Sequence, residues 1–412
     1  MQLDRKKSIG SLLALATCSL LSSHQATAEE SRWKFDTALL YYDEDERVTA
    51  VEPVFAASKT FADDSKISLK LTLDSLTGAS HNGATISDQP QTFTGPSGSS
   101  SYTIPAGEIP LDDTFKDSRG AVSVQWTGPF KDGRSWSAGA NLSAEYDFNS
   151  FSLNGGMAQE FNKKNTTLNL GISIEQDQIS PVGDTPLEGS LYSDQIKKGS
   201  DEDKTIVDLL AGVTQVISRN TLMQFNVGLS HSSGYMTDPY KIVSVLESAD
   251  LPLDYVYESR PDTRDKVSFF WKTKHHLETD VIDVAYRYMT DDWGIDSHTL
   301  DFHYRWQKEG FYIEPHLRFY QQTAADFYRT NLTGSPAPGI PGSINIDALP
   351  SEVSADYRLS ELDSTTIGIK LAFDMGKDSE LSFRLEKYSQ SGDTDPADLD
   401  ALIFQAGYSF YF

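Results

Sequence analysis

Apolar and polar residues alternate with a period of two along most of this chain. KISLKLTLD places Ile67, Leu69, Leu71 and Leu73 on one face and Ser68, Lys70, Thr72 and Asp74 on the other. TLNLGISIE, SELSFRLEKY and TTIGIKLAF repeat the pattern. Successive side chains of a strand point to opposite faces, so this periodicity predicts strands with one apolar face and not helices. In SWSAGANLSAEY the apolar face runs Trp136, Ala138, Ala140, Leu142, Ala144, Tyr146, beginning and ending on an aromatic. Ten steps of a strand cover about 33 Å. Tilted by about 45°, that length projects to about 23 Å, close to the ~25 Å apolar band of an outer-membrane barrel.

The connections between strands fall into two classes. Short turn-like ones lie at 61–65, 128–133, 162–165, 218–220, 308–310 and 376–379. They alternate with a second class whose long members lie near 75–117, 177–203, 232–262 and 322–360 and whose short members include DEDER (43–47), DFNS (147–150) and the 290–296 link. Outer-membrane barrels have short periplasmic turns and longer outer loops, whereas a soluble sandwich has no reason to gather its long loops at one end. The alternation predicts an all-β fold: a transmembrane antiparallel up-and-down β-barrel of about sixteen strands, forming one domain over 29–412. The Gly-, Ser- and Thr-rich stretch 75–117 reads as an external loop or a segment folded into the lumen.

The last strand ends on an apolar row, Phe404, Ala406, Tyr408, Phe410, Phe412. It resembles the C-terminal aromatic signal by which the bacterial outer-membrane assembly machinery recognises its clients. At the other end, Arg5, Lys6 and Lys7 precede a short apolar run and an A-x-A site at Ala26–Ala28. This predicts a signal peptide over 1–28, cleaved after Ala28. The apolar run is too short for a membrane span. The single cysteine, Cys18, lies inside it, so the mature chain has no disulfide. Thr17 fits poorly in a lipoprotein box, which favours the cleavable reading over a lipid anchor.

The formal charge of -25 becomes -27 once the leader is removed. Such acidity argues against nucleic acid as a partner, since phosphate binding needs clustered bases. Outer-membrane lipid, lipopolysaccharide and the assembly machinery are the partners the predicted barrel would meet. No residue pattern implies a cofactor. His275–His276 point to opposite faces of an extended chain, which makes joint metal ligation awkward. SGDTDPADLD (391–400) presents Asp393, Asp395, Asp398 and Asp400 without the Gly and terminal Glu of a calcium loop.

Two constellations remain. YRYMTDDWGIDSHTL (286–300) carries Asp291, Asp292 and His298. Acids beside a histidine can activate water, which would make an outer-membrane hydrolase; the bland alternative is that DDWG simply makes a turn. The second is a set of charges on the inward faces: Asp74, Glu145, Glu175 and Asp208 from the first half, and Arg287, Asp301, His303, Arg305, Glu314, His316, Arg318 and Arg384 from the second. Around the 308–310 turn, His303 is expected opposite Glu314 and Asp301 opposite His316. Acid on one wall and arginine on the other would tune a porin-like pore; ion pairing inside a closed, structural or adhesive barrel is the alternative. The acidic outer loops predict weak cation selectivity.

DSLTGASHNGA (74–84), YRYMTDDWGIDSHTL (286–300), RFYQQTAADFY (318–328) and SADYRLS (354–360) resemble the bacterial family known as domain of unknown function 3570. The likeness runs through most of the mature chain and implies an outer-membrane barrel. It implies no catalytic residue. Met289 departs from the aromatic usual at that position.

Overall fold

Each alternating segment becomes a strand, and the strands close on themselves. The computed structural model describes residues 32–94, 101–248, 251–334, 344–376 and 378–412; the expected signal peptide, 1–28, lies outside them. The sixteen strands of the closed barrel are, in chain order, β1 (Trp33–Glu44), β2 (Val48–Thr60), β3 (Lys66–His81), β4 (Leu111–Pro129), β5 (Arg134–Ala144), β6 (Phe148–Phe161), β7 (Thr166–Ile179), β8 (Glu202–Ser218), β9 (Thr221–Gly234), β10 (Thr263–His276), β11 (Val281–Asp291), β12 (Asp296–Lys308), β13 (Phe311–Gln322), β14 (Leu362–Gly376), β15 (Ser379–Gly392) and β16 (Leu399–Tyr411). Each pairs antiparallel with its neighbour in sequence.

Closure joins β1 to β16 in the register Phe35↔Phe410, Leu39↔Ala406, Tyr41↔Phe404. The seam ends with Trp33 and Phe412 exchanging both backbone hydrogen bonds, at 3.0 and 2.8 Å. A closed ladder leaves no strand edge, which is what hydrocarbon requires of a spanning sheet. Among the described residues no helix is long and apolar enough to cross a membrane. The outward faces form the apolar belt, with Leu71, Leu142, Leu170, Ile174 and Ile367 exposed. Aromatics edge it on the short-turn side, where Trp126 and Trp136 lie 5.8 Å apart and Phe35 meets Phe410 at 5.3 Å.

The segment 75–117 departs from the expected loop. β3 runs on to His81 and β4 starts at Leu111, with a further hairpin, Gln91–Thr94 against Ser101–Ile104, between them. Small hydroxylated residues look like a loop in sequence but fit a two-stranded ribbon once a partner strand lies alongside. The register of the pair shifts between Gly78 and Ser80. Gly78 has φ +136°, and a Cβ there would stand 2.1 Å from the Arg47 carbonyl oxygen.

The long outer connections are not independent loops. Those after β3, β9 and β13 are separated by six, four and six strand positions around the ring, yet they bond to one another. Ile242 N donates to Asn82 O at 2.9 Å, and Thr85 Oγ1 donates to Thr330 O at 3.0 Å. Ser244, Val245 and Leu246 pair in parallel with Asn331, Leu332 and Thr333. The connection after β7 joins through Leu191↔Val256. Contacts between points so far apart on a ring are chords across its mouth. The four connections therefore form one cap over the outer end, with a core of Val243, Val245, Val256, Leu332 and Val353.

Candidate functional site

The barrel interior has two unlike sectors. On β5 to β9 many inward positions are small and polar, among them Ser137, Asn154, Asn169, Ser173, Asn226 and Ser230, interleaved with glycines, while Glu175, Asp177, Lys204 and Asp208 lie toward the outer ends of β7 and β8. The amides lie flat on the wall. A Cβ on Gly139 would fall 2.1 Å from Gln125 Oε1, and one on Gly212 would fall 2.3 Å from Asn226 Oδ1. Glycine here lets long amide side chains run along the sheet instead of projecting into the lumen. Nothing in the period-two pattern distinguishes this wall from any polar strand face.

A second sector, β10 to β15, carries a dense set of ion pairs. Asp301 accepts from Arg318 Nε at 2.6 Å, and Glu314 from Arg305 Nε at 2.7 Å. His316 Nδ1 lies 2.8 Å from Glu386 Oε1, which Arg384 Nε approaches at 3.9 Å. Arg287 stands over the Phe270 ring, 5.7 Å from its centre. The expected division into an acid wall and an arginine wall does not hold, because these arginines alternate with carboxylates on the same strands. On the opposite side Asp74 pairs with Arg119, and Asp177, a neighbour of the buried Glu175 and Asp208, pairs with Lys204 at 2.7 Å. Glu145 lies in the short turn between β5 and β6, beyond the strand that was expected to hold it.

The register between β12 and β13 also differs from expectation. His303 faces His316 and Asp301 faces Arg318. Lys308 pairs with Phe311, leaving Glu309–Gly310 as a two-residue turn with Gly310 at φ +78°. Moving the turn by one residue shifts every cross-strand pair by two, which keeps each side chain on its predicted face but changes its partner.

Asp291, Asp292 and His298 are not brought together. Asp291 points inward, its side chain fully buried against Arg264, and its Oδ1 accepts from Trp293 N at 3.1 Å and Ile295 N at 2.9 Å. Asp292 accepts from Asp265 N at 2.9 Å. His298 pairs with Tyr288 on the outward face, 2.7 Å from the Tyr286 hydroxyl. Strand parity separates them: positions 291 and 298 lie on opposite sides of the wall. The turn reading of DDWG is what the geometry shows. Of the acidic outer stretch, Asp398 accepts from Gly392 N at 3.0 Å and Asp400 pairs with Lys387 at 3.3 Å, while Arg47 donates to the Pro396 carbonyl at 2.7 Å. His275 meets Thr221 Oγ1 at 2.8 Å. Phe404, Tyr408, Phe410 and Phe412 all face outward, Phe412 being 83% exposed.

Above the belt the cap holds a buried ionic cluster that no local motif announces. Arg260 reaches Glu258 at 2.6 Å and Asp356 at 2.9 Å. Arg358 also pairs with Asp356, and reaches Asp238 at 3.2 Å. Lys241 Nζ donates to the His81 carbonyl. Burial opposes the charge on Asp356, but Arg358 and Arg260 outweigh it and hold the carboxyl well below its ordinary range. Burial raises Glu258 against the pull of Arg260, and lowers Lys241 against that of Asp356 and Asp238. The residues come from β3 and from the connections after β9 and β13, so their sequence separation hid the cluster.

A closed antiparallel barrel with an apolar outer belt, a polar lumen and all long connections on one side defines a transmembrane barrel of the outer-membrane class. The chain belongs to the family described as "Protein of unknown function (DUF3570)", whose model matches residues 10–406. A search of curated proteins finds no match. Among solved structures, the chain is similar in fold to OccK3 (OpdO) of Pseudomonas aeruginosa, with 9% identity over 93% of this chain and 96% of that one and a TM-score of 0.41. It is likewise similar to a "Bacterial polysaccharide outer membrane secretin", with 8% identity, 93% and 99% coverage and a TM-score of 0.45. The outer membrane protein opdK from Pseudomonas aeruginosa gives 11% identity, 94% and 100% coverage and 0.40.

Proposed function

We propose that this protein is a weakly cation-selective outer-membrane channel of low conductance, its outer mouth narrowed by the cap. The observation that carries this reading is the run of amides lying over glycines on β4 to β9, as where Gln125 crosses Gly139 and Asn226 crosses Gly212, which keeps those long side chains along the wall and out of the lumen. On the opposite wall carboxylates and arginines largely neutralise each other, so the field at the acidic entrance sets the preference for cations. That field decays within about 8–10 Å at physiological salt. A reversal potential across a planar bilayer under a potassium chloride gradient tests the proposal. Cation preference should weaken when Asp393, Asp395, Asp398 and Asp400 are changed to Asn, most clearly at low salt. Anion preference in the wild type would contradict it. A barrel that never conducts, even with its cap loosened, would leave a structural or adhesive role.

The seam supports a second proposal, that Phe412 is read by the assembly machinery as well as packing against lipid. Deleting Phe412 removes a backbone pair with Trp33 and an exposed outward ring. The outer-membrane level of the variant should fall while export continues. Unboiled protein from both forms should migrate differently from boiled protein on an SDS gel, the behaviour of a closed barrel. Wild-type levels of the deletion variant would rule the signal reading out.

A further inference from the structure

The stacked histidines on β12 and β13 have more acceptors around them than protons to give. The His303 and His316 rings are parallel within 3°, their centres 4.1 Å apart. Their Nε2 atoms converge on one carboxylate: His303 Nε2 lies 2.8 Å from Asp301 Oδ1 and His316 Nε2 lies 3.4 Å from Asp301 Oδ2. Their Nδ1 atoms face two other carboxylates, His303 toward Glu314 at 3.6 Å and His316 toward Glu386 at 2.8 Å. A neutral imidazole has one N–H, and here each ring has carboxylate oxygens at both nitrogens. If the Nδ1 atoms carry the protons, both Nε2 lone pairs point at Asp301 with nothing positive between.

We infer that Asp301, His303 and His316 bind one divalent transition-metal ion, with zinc as the reference case. The ligand atoms of these three residues all lie within 4.8 Å of one another. Two imidazole nitrogens and a carboxylate oxygen suit zinc, copper or nickel, and do not suit calcium or magnesium, which take oxygen ligands. Glu314 and Glu386 occupy the places where ligating histidines ordinarily find a carboxylate for the second nitrogen, which orients the ring and strengthens it as a donor. Arg318 holds Asp301 Oδ2, leaving Oδ1 to ligate. His303 is 28% exposed, which leaves room on its lumen side for a water in the fourth position. Arg305 and Arg318 lower the affinity, so the site suits an ion that arrives and leaves through the lumen better than a permanently held one.

The test uses the full barrel without a histidine tag, refolded in detergent and dialysed against zinc chloride, with bound metal measured by elemental analysis. One ion per barrel is expected. His303→Gln with His316→Gln should abolish it, and Glu386→Gln should weaken it about 10-fold through the ring it orients. Cobalt in place of zinc should give visible absorption bands of a nitrogen–oxygen site. The gel shift on boiling reports that each variant is still a folded barrel. His275→Ala with His276→Ala, and the four-Asp loop variant, should bind as the wild type does. A wild-type barrel that retains no metal at millimolar zinc, or a double-histidine variant that retains as much, overturns the inference.

Discussion

Asp356→Ala is expected to unfold the cap and leave the barrel standing. In the folded protein Asp356 takes Arg260 at 2.9 Å and Arg358 Nε at 2.8 Å, with its own side chain 1% exposed. Without it, two guanidinium groups and the Lys241 ammonium share Glu258 and Asp238 in a buried space. Removing one partner from a buried ion network costs about 3–5 kcal/mol, because the remaining charge is stranded. The small sheets of the cap are separate from the barrel ladder, so that loss falls on the cap. Backbone amides in 235–248 and 344–361 should lose most of their hydrogen-exchange protection. The barrel strands should keep theirs, and the unboiled gel band should persist. If the lumen conducts, single-channel conductance should rise as the chords across the mouth are released. Unchanged protection in these segments would show that the cluster does not hold the cap together.

Acidification should loosen the same cap through His81. This residue ends β3 above the belt, since the outward positions of β3 turn polar after Leu73. Its Nε2 lies 3.1 Å from the Ala84 carbonyl, the contact a neutral ring makes as a donor. Burial, and then the nearby Lys241, push its pKa down to about 3 from 6.5. With the cap open and the ring hydrated, His81 takes a proton near its ordinary pKa; with the cap closed it does not until about pH 3. Between those values the open state binds more protons, so closure weakens as the pH falls, by about 1.4 kcal/mol per pH unit. Asp356, depressed in the folded state, acts in the same direction at the acid end of this window. Glu258, raised by burial, acts in the opposite direction. Exchange protection of the cap should therefore fall between pH 7 and pH 5 in the wild type, and the slope should flatten in His81→Gln, which keeps the donor and loses the titration. A cap equally protected at both values would refute the histidine account.

The two expectations share a physical basis in how the cap is built. Its apolar core is drawn from segments far apart in sequence, and each alone is too short and too polar to look structured. Phe93 and Ile104 bury against Ile242 and Tyr257 only because the hairpin after β3 meets the connection after β9. Trp293 and Ile295 from the DDWG turn pack on Phe327 and Leu359 in the same way. A turn that reads as a candidate acid–histidine site is thus a base on which the last long connection sits.

Strand identity, face and barrel closure were legible in the sequence, because a transmembrane wall obliges every second residue to be apolar over the membrane thickness, strand after strand. The inward direction of Asp301, His303, Glu314 and His316 followed from the same parity, and the outward row ending in Phe412 did too. What parity leaves open is any quantity that depends on who lies opposite. The partner of His303 depended on the one-residue placement of the Glu309–Gly310 turn, and with it the convergence of two imidazoles on Asp301. The cap depended on contacts between connections six strand positions apart on a ring, which exist only once the ring has closed and brought its rim residues within reach of each other. Local pattern specified the barrel because the membrane acts on each strand separately; the cap and the histidine cluster arise from distances that only the folded chain possesses.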